Sequence, residues 1–291
     1  MVEVSSCVIC NGPIRNLKRA LVAPFVAERT WNRKPFCVDL VGCDSCGFMF
    51  YNPRLDDDDL RPLYRAYRSV EYQQMRFATE PWYTESFNDD LASPKSYEIR
   101  RGLLAAILKK NLNGRKINRV LDYGGDRGDL VTGLIDGAEA YSYDISGTKA
   151  APGVTATFDP ASCKADLIIN SNVLEHVGFP RVTVTEILQA APKGGLVFLE
   201  VPIEFPFGFY RLMRRVAQIG VVAVMRPKTA RYILRPATLY MMHQHINYYT
   251  EHSLTVLTKA CGGRVIATGT YPYGARAGKA DMAWCLAEKQ T

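Results

Sequence analysis

The sequence has no long apolar run and no basic, apolar leader at its start. No stretch of about 18 uncharged apolar residues occurs in the 291 residues, so a membrane-spanning helix is not expected. The first thirty residues do not show the pattern of a signal peptide. With 47% hydrophobic residues the chain can bury a full core. We therefore expect a cytoplasmic, globular protein with one large domain and one smaller domain.

Histidine is scarce, and no histidine precedes His176, whereas five of the eight cysteines fall before residue 50. The pairs Cys7-x-x-Cys10 and Cys43-x-x-Cys46 are separated by residues 11–42. Two residues between thiolates let each pair take adjacent corners of a tetrahedron, and two pairs complete a closed zinc site. A redox dithiol is the alternative, but it needs only one such pair. The sequence therefore predicts one structural zinc bound by four thiolates.

A glycine-rich turn follows a buried strand in the segment Arg119–Leu130, which reads RVLDYGGDRGDL. Glycine has no Cβ, so a nucleotide can lie against this backbone and against the start of a following helix. A second strand ends at Asp144, about 20 residues beyond the turn, where a ribose-binding acid is expected. A third strand leads to Asn172. The simpler alternative is a doubly wound domain whose turn is glycine-rich for packing alone.

Together these motifs resemble the class I S-adenosylmethionine-dependent methyltransferases, from about residue 116 to the end of the chain. Asp122, Gly124 and Gly128 match the family's Asp-x-Gly-x-Gly-x-Gly turn, whereas Asp126 stands in place of its middle glycine. Gly125, one position earlier, could supply the missing flexibility. The resemblance implies an α/β fold with a Rossmann-like, seven-stranded, mostly parallel sheet beside a small N-terminal zinc module.

The resemblance also implies where S-adenosylmethionine binds. Asp122 and the glycine turn would hold the methionine end of the cofactor, including Gly124, Gly125 and Gly128. Asp144 would bind the ribose hydroxyls, and Ile145 after it belongs to the same cofactor set. Asn172 would line the methionine moiety.

The segment from Cys43 to Leu55 resembles the N-terminal zinc module of bacterial sugar C-methyltransferases. This likeness predicts a zinc-binding module in residues 1–55, a helical connector and lid in 56–115, and the methyltransferase domain in 116–291. Nucleic-acid binding by the module is not expected, because basic and aromatic residues are not interleaved there. Apolar residues at helical spacing predict helices within 56–112.

Alternating elements after residue 116 predict strands near 118–123, 139–145, 154–158, 166–170, 196–201, 264–270 and 281–287. The connection between the second and third strands is too short for a full crossover helix. Residues 205–242 form an insertion in which an apolar helical face lies beside arginines. We favour a cap over the substrate, with Arg211 suited to binding phosphate. An oligomer contact and a membrane-surface helix are the alternatives.

Three of the four histidines lie in residues 243–252, and His243 and His245 are the candidates for a catalytic base. In the sugar C-methyltransferases the corresponding stretch reads Tyr-His-Glu-His. Here Met242 and Gln244 take the tyrosine and glutamate positions. This difference favours O-methylation over C-methylation.

Glu200 and Glu204 follow the fifth strand and could orient a histidine or bind a sugar hydroxyl. We therefore predict an S-adenosylmethionine-dependent methyltransferase acting on a small acceptor, a glycosyl group or nucleotide sugar. A sugar C-methyltransferase, a nucleotide-dependent oxidoreductase and a non-catalytic zinc-ribbon binding protein are the alternatives.

Overall fold

A computed structural model describes residues 1–67, 69–86, 89, 93–206, 209–225, 227, 240–272 and 281–290, with the backbone alone for 209–212, 214 and 215. Within these residues the strands form one five-stranded sheet and one seven-stranded sheet. No helix among them is long and apolar enough to cross a membrane.

The N-terminal sheet combines strands from two distant parts of the chain. Its strand order is β10-β3-β2-β1-β9. The first three strands are antiparallel, β9 pairs parallel to β1, and β10 pairs antiparallel to β3. The strands are β1 (Ile14–Val22), β2 (Cys37–Cys43), β3 (Met49–Asn52), β9 (Met241–Met242) and β10 (Asn247–Tyr248). The histidine loop, residues 243–246, therefore runs between the two edges of this sheet.

The seven-stranded sheet has the order β11-β12-β8-β7-β4-β5-β6. All neighbours are parallel except β12, which is antiparallel to both β8 and β11. The strands are β4 (Arg119–Tyr123), β5 (Glu139–Tyr143), β6 (Val154–Ala156), β7 (Leu167–Ser171), β8 (Leu196–Ile203), β11 (Gly263–Tyr271) and β12 (Asp281–Lys289). Each lies where the sequence predicted a strand, and the Rossmann-like, mostly parallel fold is confirmed.

The helices lie largely where apolar periodicity predicted them. They are α1 (Pro24–Trp31), α2 (Asp57–Tyr64), α3 (Val70–Thr79), α4 (Pro94–Asn111), α5 (Pro180–Ala190), α6 (Phe209–Met225) and α7 (Glu251–Ala260), with a 3₁₀ turn at Pro160–Cys163. Asp56 begins α2 by accepting a hydrogen bond from the Asp59 N–H at 3.0 Å. The aspartates at positions 56–59 thus cap this helix and place negative charge in its first turn. No helix joins β5 to β6, which confirms the degenerate crossover.

The helix expected directly after the glycine turn is absent from residues 124–138, which form successive turns instead. The Gly128 N–H donates to the Gly125 carbonyl at 2.8 Å, and the Val131 N–H donates to the Gly128 carbonyl at 3.2 Å. An α-helix cannot pass through residues in the left-handed region. Five residues of this segment have φ between 53° and 78°, namely Gly124, Asp126, Gly128, Gly133 and Gly137. The expectation of a regular helix here is therefore wrong.

Candidate functional site

The four cysteines of the two Cys-x-x-Cys pairs lie together. The Sγ atoms of Cys7 and Cys46 are 3.7 Å apart, those of Cys10 and Cys43 are 3.5 Å apart, and all four lie within 4.8 Å of one another. A tetrahedral zinc with Zn–S bonds of about 2.3 Å needs sulfur–sulfur distances of about 3.8 Å. The spacing and the donor chemistry therefore fit one zinc ion, and four thiolates would leave it no open position for water.

Each cysteine pair is held by its own backbone turn, and the two turns have the same hydrogen bond. The N–H of Asn11 donates to the carbonyl of Cys7, and the N–H of Gly47 donates to that of Cys43, each at 2.9 Å. Asn11 and Gly47 have φ of 59° and 74°, so the chain turns tightly after each second cysteine, as expected. The Gly12 N–H also points to the Cys10 sulfur at 3.4 Å. Such N–H groups stabilise thiolate charge around a metal.

We predict that the Cys43→Ser variant contains one zinc per chain less than the unaltered protein and loses much of its solubility, because a closed thiolate site contributes to folding. Elemental analysis of protein purified without chelator measures the difference. Cys37→Ser is the matched control, since Cys37 begins β2 outside the cluster. A folded Cys43→Ser variant with unchanged zinc content would contradict the prediction.

Asp122, the acid of the glycine turn, is buried at the end of β4 with 2% of its surface exposed. Its Oδ2 atom has no hydrogen-bond partner. Burial raises the pKa of this carboxyl to about 7, although the nearby Arg100 opposes the shift. Gly125 lies directly against it, and a Cβ there would fall 1.9 Å from the Asp122 carboxyl carbon. Gly125 thus leaves room for a carboxylate, and its backbone is not left-handed.

Asp126, which stands in place of the family's middle glycine, adopts the left-handed conformation itself, with φ of 53°. Aspartate tolerates this region better than most residues. The Asp126 N–H donates to Asp144 at 2.8 Å, and the Asp126 carbonyl accepts from Ser142 Oγ at 3.0 Å. Ser146 N–H donates to the other Asp144 oxygen at 2.8 Å. The Asp144 carboxylate therefore links the glycine turn to the end of β5.

The predicted cofactor residues lie along one edge of the sheet. Asp122, Asp144 and Asn172 end or follow the adjacent strands β4, β5 and β7. Gly124 and Gly128 are left-handed within the turn, with φ of 78° and 77°. Ligands of open α/β sheets bind at this carboxyl edge, where the strand order reverses.

A pocket of about 830 Å³ opens beside Asp126 and Asp144 and extends along residues 147–154 to Phe158. Ile145 is 80% exposed next to it. On the other side Asn172 has φ of 57°, and its N–H donates to the Glu200 carbonyl at 3.1 Å. Of the predicted cofactor residues, Asp144 alone lines this pocket, whereas Asp122 is buried and Asn172 follows the neighbouring strand β7.

Glu200 belongs to a buried hydrogen-bond network around β8. It is 2% exposed in β8 and accepts hydrogen bonds from the hydroxyls of Ser171 and Tyr271. Arg100 donates to Ser171 Oγ at 2.8 Å. Binding of substrate by Glu200 stays a prediction. The side chain of Arg211, the predicted phosphate ligand, lies outside the described residues, although its backbone belongs to α6.

His243 pairs with a buried carboxylate that sequence reasoning had assigned only to a lid. Its Nδ1 lies 3.0 Å from Glu80 Oε1, and Arg76 Nε donates to Glu80 Oε2 at 2.8 Å. Burial opposes ionisation of Glu80, but His243 and Arg76 outweigh it and lower the pKa of this carboxyl to about 2. Glu80 is therefore ionised at neutral pH. Its Oε1 atom forms no hydrogen bond, so its contact with His243 is an electrostatic one.

The two neighbours of His243 face inward. Met242 is fully buried in the apolar core. Gln244 is 6% exposed, its Oε1 accepts from Arg76 Nη1 at 2.7 Å, and its Nε2 donates to the Tyr72 hydroxyl. Both side chains are occupied by structural contacts.

His245 lies at the centre of a second polar group. Its Nδ1 is 2.9 Å from Glu204 Oε2, and its ring meets that of His176 edge-on at 4.7 Å. His176 Nδ1 is 3.0 Å from the Gln244 carbonyl, and burial lowers the pKa of His176 to about 3. Burial raises the pKa of Glu175, which is 1% exposed, to about 7. His176 lies in a turn after β7.

Residues 96–268 match the family model described as a methyltransferase domain. The match spans more than half of the chain, and the chain therefore belongs to this methyltransferase family. It is an S-adenosylmethionine-dependent methyltransferase with a Rossmann-like fold and an N-terminal four-cysteine cluster. No curated protein sequence matches the chain.

Several solved methyltransferase structures resemble the chain. One is the Burkholderia thailandensis 1,6-didemethyltoxoflavin-N1-methyltransferase with bound S-adenosylhomocysteine, at 17% identity and TM-score 0.47, covering 84% of this chain and 96% of that one. Another is the Synechocystis PCC 6803 magnesium protoporphyrin IX methyltransferase, at 15% identity and TM-score 0.46, covering 79% and 100%. With TM-scores this low, neither bears on the acceptor of this chain.

We predict that the stability of the cofactor-free protein falls as pH rises from about 4 to about 7, in part because of Asp122. The folded-state pKa of Asp122 is raised from 3.8 to about 7, so over this window the unfolded chain releases a proton that the folded chain retains. The Asp122→Asn variant has no titratable group at this position, so it lacks this pH-dependent loss of stability. Relative to wild type, its free energy of unfolding should gain roughly 2–4 kcal/mol between pH 4 and pH 7.5, at about 1.4 kcal/mol per unit of pKa shift. Urea unfolding at both pH values measures this, and parallel pH profiles would refute it.

Proposed function

We propose that the chain transfers a methyl group from S-adenosylmethionine to a hydroxyl oxygen of a small acceptor, a glycosyl group or nucleotide sugar. The observation that carries this proposal is the contact of 3.0 Å between His243 and the buried, ionised Glu80. A hydroxyl is a weak nucleophile, and a base that removes its proton during transfer accelerates the reaction. The resemblance of the N-terminal module to that of sugar methyltransferases supports the acceptor class.

The His243 pair has the parts of an oriented general base. The charge of Glu80, 3.0 Å from Nδ1, favours a proton on that nitrogen, which leaves the lone pair on Nε2. The His243 side chain is 34% exposed, so an acceptor can reach it, while Glu80 is only 3% exposed. His245 with Glu204 repeats the arrangement with a more exposed carboxylate, at 21%. Both histidines are therefore base candidates, and the buried partner favours His243.

Transfer to oxygen is favoured because neither neighbour of His243 in the chain carries an acid–base group. Met242 has no ionisable group, and the Gln244 amide is held between Arg76 and Tyr72. An amide cannot replace a carboxylate as a proton acceptor. This arrangement supports O-methylation, and sugar C-methylation remains the alternative that product analysis separates.

The cofactor would lie across the carboxyl edge of the sheet. Ionised Asp122 would attract the positively charged methionine end, and the glycine turn, including Gly124, Gly125 and Gly128, would let the cofactor approach the backbone. Asp144 would accept hydrogen bonds from the ribose hydroxyls, beside Ile145. Asn172 would line the methionine moiety on the neighbouring strand.

We predict that Asp144→Ala weakens S-adenosylmethionine binding by roughly 1.5–3 kcal/mol, the usual scale for hydrogen bonds to a charged group. Isothermal titration calorimetry measures the affinity. Asp136→Ala is the control, because Asp136 is exposed before the opposite end of β5. Unaltered affinity in a folded Asp144→Ala protein would mean that another residue binds the ribose.

We predict that His243→Ala lowers the rate of methyl transfer by about 10²–10⁴-fold and leaves cofactor affinity intact, because a general base contributes on this scale. Single-turnover kinetics on a panel of nucleotide sugars, with the methylated product identified, measures it. Glu80→Gln should lower the rate less, since the base remains but loses its ionised partner.

His252→Ala is the matched control, because His252 lies in the first turn of α7. Near-full turnover by the His243→Ala variant would move the role to His245. A methyl group on carbon in the product would contradict O-methylation. Cofactor binding without turnover on any acceptor would support a non-catalytic binding protein.

A further inference from the structure

We propose that Glu175, His176 and His245 bind a divalent transition-metal ion, at a site separate from the four-cysteine cluster. One ligand atom from each of these residues lies within 4.8 Å of the other two. Two imidazoles and one carboxylate form a ligand set that proteins use for zinc and for iron(II). This inference goes beyond the proposed function and does not depend on it.

The hydrogen bonds of His176 leave one nitrogen oriented for a metal. Its Nδ1 lies 3.0 Å from the Gln244 carbonyl, and a carbonyl can only accept. The proton therefore belongs on Nδ1, and the lone pair is on Nε2. This Nε2 atom lies 3.9 Å from Glu175 Oε1. The Tyr64 hydroxyl lies 2.9 Å from the same Nδ1 and 3.4 Å from the Gln244 carbonyl, so with this tautomer it accepts from Nδ1 and donates to the carbonyl.

His245 has the corresponding outer contact. Its Nδ1 lies 2.9 Å from Glu204 Oε2, and a carboxylate favours the proton on that nitrogen. Histidines that bind metals usually donate their second N–H to a carboxylate or a carbonyl, which fixes the ring and raises its basicity. His176 with a carbonyl and His245 with Glu204 together show both forms of this arrangement.

Glu175 supplies the strongest sign that a cation is needed. Its side chain is 1% exposed, and its Oε2 atom is buried without a hydrogen-bond partner. A buried carboxylate oxygen with no donor is costly, and native structures rarely keep one. A metal ion between Glu175 and the two imidazoles would satisfy that oxygen and neutralise the charge.

The backbone holds the two halves of the site in register. The N–H groups of Ile246 and Asn247 both donate to the carbonyl of Glu175, at 2.8 and 3.1 Å. The Asn247 side chain donates to the carbonyls of Leu174 and Val177, at 2.8 and 2.7 Å. The histidine loop is thus fixed to the turn that carries the other two ligands. Such preorganisation is a requirement for a metal site.

The spacing is slightly wider than a bound ion would impose. Bonds of about 2.1 Å in a tetrahedral site place neighbouring donor atoms roughly 3.4 Å apart. The separation of 3.9 Å between His176 and Glu175 would close by a small side-chain rotation. Nitrogen donors favour zinc, iron(II), cobalt(II) or nickel(II) over magnesium and calcium, which prefer oxygen ligands.

Three protein ligands leave coordination positions open for water or for an acceptor hydroxyl. Glu175 and His176 follow Asn172 in the same turn after β7, so the ion would lie close to the proposed position of the methionine moiety. An ion there could polarise an acceptor hydroxyl while His243 receives its proton.

The test is titration of the purified, zinc-containing protein with cobalt(II) chloride, followed by equilibrium dialysis, elemental analysis and absorption spectroscopy. We expect one cobalt(II) per chain without loss of zinc from the cysteines. Its spectrum should lack the intense sulfur-to-metal bands of thiolate ligation, because the ligands are nitrogen and oxygen. Glu175→Gln and His245→Ala should each weaken binding by ~100-fold or more, since even outer partners of metal ligands are worth roughly 10–100-fold.

His252→Ala and Cys37→Ser are the controls, and each should retain the cobalt(II) site. Glu204→Gln, which alters only the outer contact of His245, should weaken binding by roughly 10-fold or more. Should Glu175→Gln fail to fold, His245→Ala at a partly exposed position still decides the question. Absence of a bound cobalt(II), a thiolate spectrum, or unchanged affinity in His245→Ala would overturn the proposal.

Discussion

The buried guanidinium of Arg54 joins the parts of the molecule that carry the candidate site residues. Arg54 is 1% exposed, and it donates to the Gly178 carbonyl and to Asn247 Oδ1, each at 2.7 Å. Its guanidinium also lies 4.8 Å from the Phe50 ring centre. Burial lowers its pKa to about 10, so the group stays charged at neutral pH. Because Asn247 in turn binds the turn after β7, a single cation connects the N-terminal sheet, that turn and the histidine loop. Without Arg54, the Gly178 carbonyl and Asn247 Oδ1 would each lose this donor, and an acceptor left unsatisfied in the interior costs about 1–3 kcal/mol.

The cysteine cluster is linked to the candidate site through shared packing. Cys7, Cys43 and Cys46 belong to the same buried cluster as Leu121 of β4 and Leu254 of α7. The ring of Phe48, two residues after Cys46, lies 4.9 Å from that of Tyr249. The N-terminal sheet itself is completed by β9 and β10, which enclose the histidine loop. A zinc ion that fixes the cysteine turns would thus stabilise the sheet whose edge strands, β9 and β10, flank His243 and His245.

The sequence predicts the elements well where the signal is local and poorly where it depends on distant contacts. Seven buried or alternating strands of the Rossmann-like sheet are visible as apolar runs, and the cysteine cluster follows from spacing alone. The left-handed residues that replace the helix after the glycine turn could be suspected only from the density of glycines there. The left-handed conformation of Asp126 is supported by the hydrogen bond from its N–H to Asp144, which lies 18 residues away. Glu80 and His243 are separated by more than 160 residues, so no sequence pattern could pair them.

The electrostatics of the cleft suit a cationic cofactor even though the chain carries a net charge of +7. Burial is the main reason that the pKa of Asp122 is high, and the carboxylates of Asp144, Asp126 and Asp129 add to the shift, whereas Arg100 opposes it. These acids surround a turn whose backbone is shaped to admit a ligand. A bound sulfonium and ammonium would oppose the repulsion among them and lower the pKa of Asp122. The same charge that destabilises the empty protein at neutral pH would then attract S-adenosylmethionine, so the instability of the turn and its affinity for the cofactor have one physical origin.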